Sequence, residues 1–378
     1  MTALVLFEDE GVDRFLPLVW TRPVFDLRCG IHTLREAVEA AYGRPVDAAV
    51  VRPFLAESVA RTTSIDLPYD GMVLMVNGRV LADPTLADVI TLDGGPELFR
   101  TPDGVLVAAR LAARDATPLD LPPAGTLQTI VDWPMLANLW DIVAHCYPRI
   151  ITQAEAFTAR VSASATVGAG VVIDESDGPV IIDDDAQVMA LAFIQGPAYV
   201  GKGTIVKAGA RILHGTSLGP QCRVGGEVEA SVFLGHANKQ HDGFLGHSVI
   251  GQWCNLGAGT TNSDLKNNYS TVRVGGEDTG QMLVGLFMGD HAKAGINTSF
   301  NTGAVVGVAA NVFGAALAPK DIGSFSWGDD QVHRLEEAIA TARVVCARRG
   351  VEFAGADESV LRHVFERTVG GSGGDGTT

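Results

Sequence analysis

Apolar residues recur at intervals of six along much of this chain, and no other feature of the sequence constrains the fold as strongly. Glycine or a small or polar residue usually follows each apolar one. A period of six is neither that of a helix nor that of simple strand alternation. It is typical of a hexapeptide solenoid, in which three six-residue faces form one triangular coil and successive coils stack. The longest run is Val200, Val206, Ile212, Leu218 and Val224.

The period covers residues 160–318, and three segments interrupt it, at 174–198, 234–246 and 260–283. Insertions in a repeat usually form loops on one face, often the binding face. Two of these segments are rich in His, Lys, Asn and Asp. We therefore expect the functional site among them.

Before the solenoid, residues 1–150 predict an α/β domain. Short apolar runs at 3–7 and 71–81 indicate buried strands, and the second runs into an Asn-Gly turn. An amphipathic helix is predicted at 32–43, where Gly43 ends it. A second is predicted at 134–146, with a proline in its first turn.

The sequence after the solenoid changes to a helical pattern. Amphipathic segments at 331–350 and 357–369 predict two helices that cap the repeat. The expected domains are thus 1–150, a solenoid at 158–325 and a helical cap at 326–369. A glycine-rich tail at 370–378 is expected to be disordered.

Composition excludes several classes of function. The 378 residues carry 28 Lys and Arg against 44 Asp and Glu, a formal net charge of −16. This charge argues against nucleic acid or an anionic membrane as the main partner, although a local cluster of cations could still bind a small anion. We find no signal peptide and no apolar stretch that could span a bilayer. The five scattered cysteines indicate free thiols in a reducing cytoplasm.

The most informative short segment is residues 238–269, which read NKQHDGFLGHSVIGQWCNLGAGTTNSDLKNNY. It resembles the acetyltransferase domain of the bifunctional glucosamine-1-phosphate acetyltransferase/uridylyltransferase family, GlmU. It is closer still to a variant family of sugar nucleotidyltransferases with the strings NK-x-H-x-GF-x-GHS and NLGAGT. In the main family a catalytic His lies three residues before a Tyr and fourteen before an Asn. Here His241 precedes Phe244 by three and Asn255 by fourteen.

The resemblance implies a Rossmann-like nucleotidyltransferase domain followed by a left-handed parallel β-helix with C-terminal helices. It also implies a homotrimer that transfers acetyl from acetyl-CoA to an amino sugar or sugar phosphate. The chemistry agrees, because amine acetylation needs a base for the ammonium proton and donors for the oxyanion. His241 suits the first task, and Asn255 or backbone N–H groups suit the second.

Several positions depart from the family pattern. The family's Tyr is Phe244, and its phosphate-binding Lys is Glu229. The Asn-Tyr pair that follows the GAGT string is displaced to Asn268 and Tyr269, so that Asp264 falls in register. We therefore expect an altered sugar-phosphate pocket. Lys239, Lys266 and Arg273 could supply phosphate contacts from loops.

Residues 289–303, which read GDHAKAGINTSFNTG, resemble a motif that follows the acetyl-CoA-contacting coil of the family. Lys293, Asn297 and Ser299 are candidate coenzyme A contacts, as is Gly257 of the GAGT string. A purely structural role for the Gly-Ile-Asn run remains open.

The N-terminal segment 6–36 resembles the signature of sugar nucleotidyltransferases, with Arg14 and Arg22 in matching order. Its glycine-rich loop is largely replaced by Glu8, Asp9 and Glu10, which would repel a triphosphate. The expected metal-binding Asp is Asn77, with Asp83 nearby as an alternative ligand. If the domain is active, Mg²⁺ would bridge the phosphates while the two arginines bind them.

Three alternatives to the acetyltransferase remain open at this point. The first is a sugar-1-phosphate nucleotidyltransferase in which the solenoid serves for trimerisation. The second is a metal hydratase that uses His236 and His241, with His247 close by and His214 upstream at an unsuitable spacing. The third is a non-catalytic scaffold that binds a sugar nucleotide.

Overall fold

The computed structural model describes residues 2–68, 70–116, 126–314, 317–328 and 330–370. The chain forms two compact units. The N-terminal unit comprises Met1–Phe15, Thr21–Leu27 and His32–Leu139, and the solenoid unit comprises Leu16–Trp20, Arg28–Ile31 and Trp140–Thr378. The division near residue 140 precedes the expected boundary at 150. Residues 371–378 of the expected tail lie outside the described residues.

A six-stranded mixed sheet forms the N-terminal unit, in the order β2-β1-β3-β5-β4-β6. The pairs β1–β2, β1–β3 and β4–β6 are parallel, and β5 is antiparallel to β3 and β4. The predicted strands at 3–7 and 71–81 lie side by side as β1 and β3 and are almost wholly buried. The six strands are Ala3–Phe7 (β1), Ala48–Val50 (β2), Met72–Asn77 (β3), Glu97–Arg100 (β4), Leu106–Ala112 (β5) and Leu127–Ile130 (β6).

Helix α1, Leu34–Tyr42, confirms the helix predicted at 32–43. Thr33 caps it, and the Glu36 side chain bonds back to the Thr33 backbone. Gly43 ends the helix with a φ of 64°, a conformation that favours glycine. Two single-turn helices follow, Ala56–Val59 (α2) and Leu86–Val89 (α3).

The helix predicted at 134–146 is correct in kind but wrong in position. It runs instead as α4, Asp141–Ala154, in the solenoid unit. Met135 forms an antiparallel bridge with Val80, and the Leu136 N–H donates to the Arg79 carbonyl at 2.9 Å. These contacts hold the preceding residues in extended backbone, so the helix begins after them.

Three columns of short parallel strands form the faces of the solenoid, which confirms a parallel β-helix. Face one comprises Thr166–Val167 (β7), Gln187–Val188 (β10), Ile205–Val206 (β13), Arg223–Val224 (β16), Asn238–Lys239 (β19), Asn255–Leu256 (β22), Lys293–Ala294 (β27), Asn311–Val312 (β30), Ser326–Trp327 (β32) and the antiparallel Gln331–Val332 (β33). Face two comprises Val172–Asp174 (β8), Phe193–Gln195 (β11), Arg211–Ile212 (β14), Glu227–Glu229 (β17), Phe244–Gly246 (β20), Thr261–Asn262 (β23) and Ser299–Phe300 (β28). Face three comprises Val180–Ile182 (β9), Ala198–Val200 (β12), Thr216–Leu218 (β15), Val232–Phe233 (β18), Val249–Ile250 (β21), Leu286–Met288 (β26), Ala304–Val306 (β29) and Asp321–Ile322 (β31).

The six-residue period marks the interior of the prism. All five residues of the run from Val200 to Val224 are 0% exposed and belong to one core. We call the turn from face one to face two the first corner, that from face two to face three the second corner, and that from face three to face one the third corner. Each coil therefore presents three corners to solvent or to a neighbouring element.

Two of the three expected interruptions are not loops. Strands β9 to β12 fill 174–198, and β19 and β20 lie within 234–246, all in regular parallel register. Only 260–283 leaves the solenoid, after β23, and it returns at β26. This excursion contains a hairpin of Arg273–Val274 (β24) and Glu277–Asp278 (β25).

The C-terminal helices are Leu335–Ala347 (α5) and Gly355–Thr368 (α6). The first begins later than the predicted 331, because Gln331–Val332 pairs with Ser326–Trp327 as a strand. Arg349, which follows α5, donates to the Gln221 carbonyl at 2.9 Å and to Asn238 Oδ1 at 2.7 Å. The expected helical cap therefore packs along the third corner.

Two expectations from composition also bear on the fold. All five cysteines are buried and free of disulfides. Within the described part of the chain, no helix is long and apolar enough to cross a membrane.

Candidate functional site

His241 lies in the first corner, in the turn between β19 and β20, and it is exposed. The next coil stacks directly on this turn, since the Gly259 N–H donates to the Asp242 carbonyl at 3.1 Å. One coil further, the Asn297 N–H donates to the Ala258 carbonyl at 2.7 Å. The first corner thus brings together His241, the GAGT turn that contains Gly257, and Asn297, on three successive coils.

Lys239 is not the loop cation that the sequence predicts. Its position pairs with Val224 in the inward-facing column of face one, and its side chain is 1% exposed. The ammonium group donates to the carbonyl oxygens of Gly225 at 3.0 Å and His241 at 2.9 Å. Burial lowers the pKa of Lys239 to about 8, although Asp242 acts in the opposite direction. Lys239 therefore supports the His241 turn from inside and cannot contact a phosphate at the surface.

Asn255 and Lys293 are neighbours on face one, where β22 pairs with β27. Asn255 is exposed and precedes the GAGT turn, but among the described residues no hydrogen bond joins its side chain to His241. The Lys293 ammonium donates to the His291 carbonyl at 2.8 Å, and burial lowers its pKa. Ser299 lies on face two, in register with Thr261. The candidate coenzyme A contacts are therefore spread over the first corner and the two faces that meet there.

A second group of candidate residues meets at the second corner. The Nδ1 atom of His247 lies 2.8 Å from Oδ2 of Asp264, and the two side chains are 16% and 14% exposed. A Cβ atom on Gly246 would come within 2.2 Å of Asp264 Oδ2 and 2.4 Å of Phe244 Cζ. Glycine is therefore required for the carboxylate and the ring to lie together over the backbone. Phe244, Gly246, His247 and Asp264 thus form one compact cluster.

Glu229 occupies the same corner one coil earlier. Its Oε1 lies 3.5 Å from Nε2 of His214, and its carbonyl accepts from the His247 N–H at 3.1 Å. A carboxylate beside two histidines replaces the cation that the family pattern places there. This corner is therefore unsuited to binding a phosphate through Glu229.

The remaining loop candidates are engaged within the 260–283 excursion. Lys266 donates to the Thr271 carbonyl, and Asn268 Oδ1 accepts from the Ser270 N–H at 3.1 Å. Tyr269 is 68% exposed, and Arg273 is exposed on the hairpin. Lys266 thus orders its own loop, whereas the other two side chains face solvent.

The histidines do not form the metal site of a hydratase. His236 lies in the third corner, where its ring stacks on Trp253 with centroids 4.2 Å apart. His241 and His247 lie in the other two corners. Among the described residues there is no group of three or more His, Cys, Asp or Glu side chains that could hold a metal ion. Spacing along the chain misleads here because each six-residue step turns one corner.

The acidic loop of the N-terminal unit is held by arginines. Glu8 binds the Arg52 side chain with both oxygens at 3.1 Å. Asp9 accepts from Arg79 at 2.8 and 2.5 Å and from Asn77 Nδ2 at 2.8 Å. Burial alone would raise the pKa of Asp9, but the hydrogen bonds from Arg79 and Asn77 outweigh it and hold the pKa low. A Cβ atom on Gly11 would lie 2.7 Å from the Arg79 guanidinium carbon.

The other nucleotide-site candidates have local partners as well. Arg14 is exposed and binds Asn138 Oδ1 at 2.9 Å, whereas Arg22 is 7% exposed. Asp83 accepts from the backbone and hydroxyl of Thr85 at 2.8 and 2.6 Å. Asn77 is fully buried. Arginine, asparagine and threonine donors already occupy oxygens of Asp9, Asn77 and Asp83, which disfavours a Mg²⁺ site at these residues.

Comparison with known proteins agrees with the resemblance seen in the sequence. Residues 4–161 match the family model of sugar nucleotidyl transferases. The chain is 31% identical over 152 residues to a bifunctional sugar-1-phosphate nucleotidylyltransferase/acetyltransferase of Sulfurisphaera tokodaii. The aligned residues cover 39% of this chain and 38% of that protein.

Two further relatives carry the name bifunctional protein GlmU. The protein of Acidithiobacillus ferrooxidans is 32% identical over 142 residues, which cover 35% of this chain and 30% of the relative. The protein of Methanococcus vannielii is 29% identical over 214 residues, which cover 56% of this chain and 49% of the relative. This chain therefore spans less than half the length of these relatives, and its similarity to GlmU-like proteins is confirmed.

Two features of the site escaped the sequence analysis. The interior role of Lys239 could have been found from its place on the six-residue interval between Phe233 and Leu245, both of which are buried. His247 and Asp264 are 17 positions apart, and the six-residue period of apolar residues gives no indication that they pair.

Proposed function

We propose that this GlmU-like chain transfers an acetyl group from acetyl-CoA to the amine of an amino sugar, its phosphate or a related nucleotide-linked sugar. The observation that carries the proposal is the first corner, where exposed His241 and the GAGT turn lie on adjacent coils. The spacing of His241, Phe244 and Asn255 matches the family pattern without a gap. Two of the similar proteins named above are bifunctional GlmU proteins, and a third is named as an acetyltransferase.

In the proposed reaction, the amine nitrogen attacks the thioester carbonyl carbon and forms the C–N bond. His241 accepts the proton that the nitrogen loses. The tetrahedral intermediate then collapses, the C–S bond breaks, and the thiol of coenzyme A leaves with the proton that His241 returns. Asn255 or backbone N–H groups of the corner stabilise the oxyanion. Lys293, Asn297, Ser299 and Gly257 are the proposed coenzyme A contacts.

We include a cytoplasmic homotrimer in the proposal. Ile296 in the first corner is 73% exposed, and Phe313 on the following coil is 44% exposed. Apolar side chains exposed along one edge of a repeat favour contact with another subunit. Light scattering tests this assembly, and a monomer in solution would remove a site shared between subunits.

The second candidate function is nucleotidyl transfer to a sugar-1-phosphate, which the match of residues 4–161 favours. The arginine-bound carboxylates of the acidic loop disfavour it, since they place negative charge where a triphosphate would have to approach the loop. We propose that the N-terminal domain binds a sugar phosphate or nucleotide without turnover, or only supports the fold.

Product mass spectrometry distinguishes these functions. The protein is incubated with acetyl-CoA, UTP, Mg²⁺ and a panel of amino-sugar-1-phosphates, beside His241→Ala and the matched control His145→Ala. We expect a gain of one acetyl group that disappears only in His241→Ala. Addition of UMP that survives in His241→Ala would instead place the chemistry in the N-terminal domain.

A further inference from the structure

The His247–Asp264 pair has the geometry of a histidine oriented by a carboxylate. Asp264 Oδ2 lies 2.8 Å from Nδ1, a distance at which Nδ1–H donates to the carboxylate. This bond fixes the tautomer and leaves the lone pair on Nε2. Among the described residues, no hydrogen-bond partner faces Nε2. The most basic atom of a mostly buried ring is therefore available to a ligand.

The backbone around the pair fixes its position as well. The His247 N–H donates to the Glu229 carbonyl at 3.1 Å, and the Gly285 N–H donates to the His247 carbonyl at 2.9 Å. At the base of the excursion, the Val284 N–H donates to the Asp264 carbonyl at 2.9 Å. Because both partners are held by independent backbone bonds, the imidazole is fixed before any ligand arrives.

Phe244 lies on the strand that runs from the His241 turn to this corner. Its ring and the Asp264 carboxylate both lie over Gly246, close to the position a Cβ atom would take. The strand β20, which carries Phe244, begins just after the His241 turn and ends just before His247. An aromatic ring therefore lies between a histidine at the first corner and an oriented histidine at the second. Three residues of extended strand span about 10 Å, which suits one sugar ring with its substituents.

We infer that His247, oriented by Asp264, is a specificity-determining residue whose Nε2 accepts a hydrogen bond from a hydroxyl group of the sugar acceptor lying across Phe244. The inference rests on the proposed function, because it assumes that the amine of the same acceptor points to His241. In the neutral imidazole, Nε2 accepts a hydrogen bond and does not donate one, which favours a hydroxyl group over a phosphate oxygen. The Glu229 carboxylate one coil away has the same preference.

Two substitutions separate ligand contact from a purely structural link to the excursion. His247→Asn places an amide nitrogen near the position of Nδ1, so it keeps the bond to Asp264 but lacks Nε2. His247→Gln places its amide near Nε2, so it can accept from a hydroxyl but loses the bond to Asp264. KM for acceptor and for acetyl-CoA are measured separately, and limited proteolysis within 263–285 reports on the excursion.

With glucosamine-1-phosphate as the probe, we expect His247→Asn to raise the acceptor KM about tenfold, as the loss of one hydrogen bond to substrate predicts. KM for acetyl-CoA and the proteolysis rate should stay within about twofold of wild type. In His247→Gln we expect the opposite: the acceptor KM stays close to wild type, whereas KM for acetyl-CoA and the proteolysis rate change. An acceptor KM in His247→Asn within twofold of wild type would overturn the inference, since the pair would then only anchor the excursion.

Failure of the proposed function gives a different result. If wild type binds glucosamine-1-phosphate in calorimetry without acetylating it, the proposed acetyl transfer is contradicted. The inference is then tested by whether His247→Asn weakens that binding. Absence of binding to wild type would overturn the inference for this acceptor.

Discussion

The ammonium group of Lys239 donates a hydrogen bond at 2.9 Å to the carbonyl oxygen of His241, two residues along the chain, from inside the solenoid. A second bond at 3.0 Å reaches the Gly225 carbonyl on the preceding coil. A buried amine thereby links two coils at the corner that carries the proposed base. Burial of an ammonium group is costly, so its presence beneath His241 needs a compensating role.

Substitution of Lys239 by Met should change how stability depends on pH. The folded-state pKa of Lys239 lies at about 8, below the unfolded value of 10.5. Between these values the unfolded chain binds the proton that the folded chain has lost, so wild-type stability rises with pH relative to Lys239→Met. The gain reaches at most about 3 kcal/mol, because one pKa unit corresponds to about 1.4 kcal/mol. Urea unfolding of both proteins from pH 7.5 to 10.5 measures it, and parallel pH curves would contradict the buried charge.

His236 predicts a loss of stability in acid. Burial, with a smaller effect of Arg349, lowers its pKa to about 4 from 6.5, and its buried Nδ1 has no hydrogen-bond partner among the residues that the structure describes. As the pH falls from 6.5 to 4, this histidine binds a proton in the unfolded chain but stays largely unprotonated in the folded chain. His236→Phe keeps the stack on Trp253 without this titration. Over that pH range, the unfolding free energy of His236→Phe should therefore fall by about 2–3 kcal/mol less than that of wild type. Melting curves at pH 7 and 4.5 test this; equal acid sensitivity would refute it.

The Arg79–Asp9 pair should stabilise the N-terminal unit. Arg79→Ala leaves the Asp9 carboxylate without its main partner, and the expected cost is about 2–4 kcal/mol, because Asp9 is partly exposed. The double variant Arg79→Ala, Asp9→Ala should recover part of this loss, since no unpaired charge remains. Unfolding free energies of the single and double variants measure the coupling. Additive effects would show that the pair contributes little.

Gly246 should be intolerant of a side chain for steric reasons alone. In Gly246→Ala, the new Cβ would displace the Asp264 carboxylate and the Phe244 ring, so the acceptor KM should rise several-fold while the fold persists. Gly323→Ala is the matched control, because the nearest atom to its Cβ would be Ser326 Oγ at 3.6 Å. Unchanged kinetics in Gly246→Ala would show that the cluster over Gly246 does not contact substrate.

The sequence predicted the fold well wherever the interior was apolar. The run from Val200 to Val224 gave both the period and the core, and Gly43 marked the end of the first helix. The period was lost where polar residues face inward. Lys239 and Asn262 both occupy interior positions, and the Asn262 side chain bonds to the Gly246 backbone in both directions, at 2.9 and 3.0 Å. A search for periodic apolar residues misses an interior position that a polar residue occupies. A regular coil was therefore interpreted as an interruption of the repeat.

The site was predicted less completely, because its parts meet through the stacking of coils. His241 was identified from a local string, and it lies in the first corner. By contrast, the pairing of His247 with Asp264 depends on where the excursion leaves the solenoid. The roles of Lys239 and His236 depend on which face or corner each residue occupies. A shift of one or two residues along the chain moves a side chain from one face or corner to another. The arginine partners of Glu8 and Asp9 lie in turns that follow distant strands, and they leave no local motif.

The most direct test of the proposed function is the steady-state rate of coenzyme A thiol release with acetyl-CoA and glucosamine-1-phosphate, compared between wild type, His241→Ala and His145→Ala. Loss of a general base typically lowers the rate by a factor of about 10²–10⁴. We predict such a loss in His241→Ala and a wild-type rate in His145→Ala. Acceptor-dependent thiol release that is equal in wild type and His241→Ala would contradict the assignment of the first corner as the catalytic site.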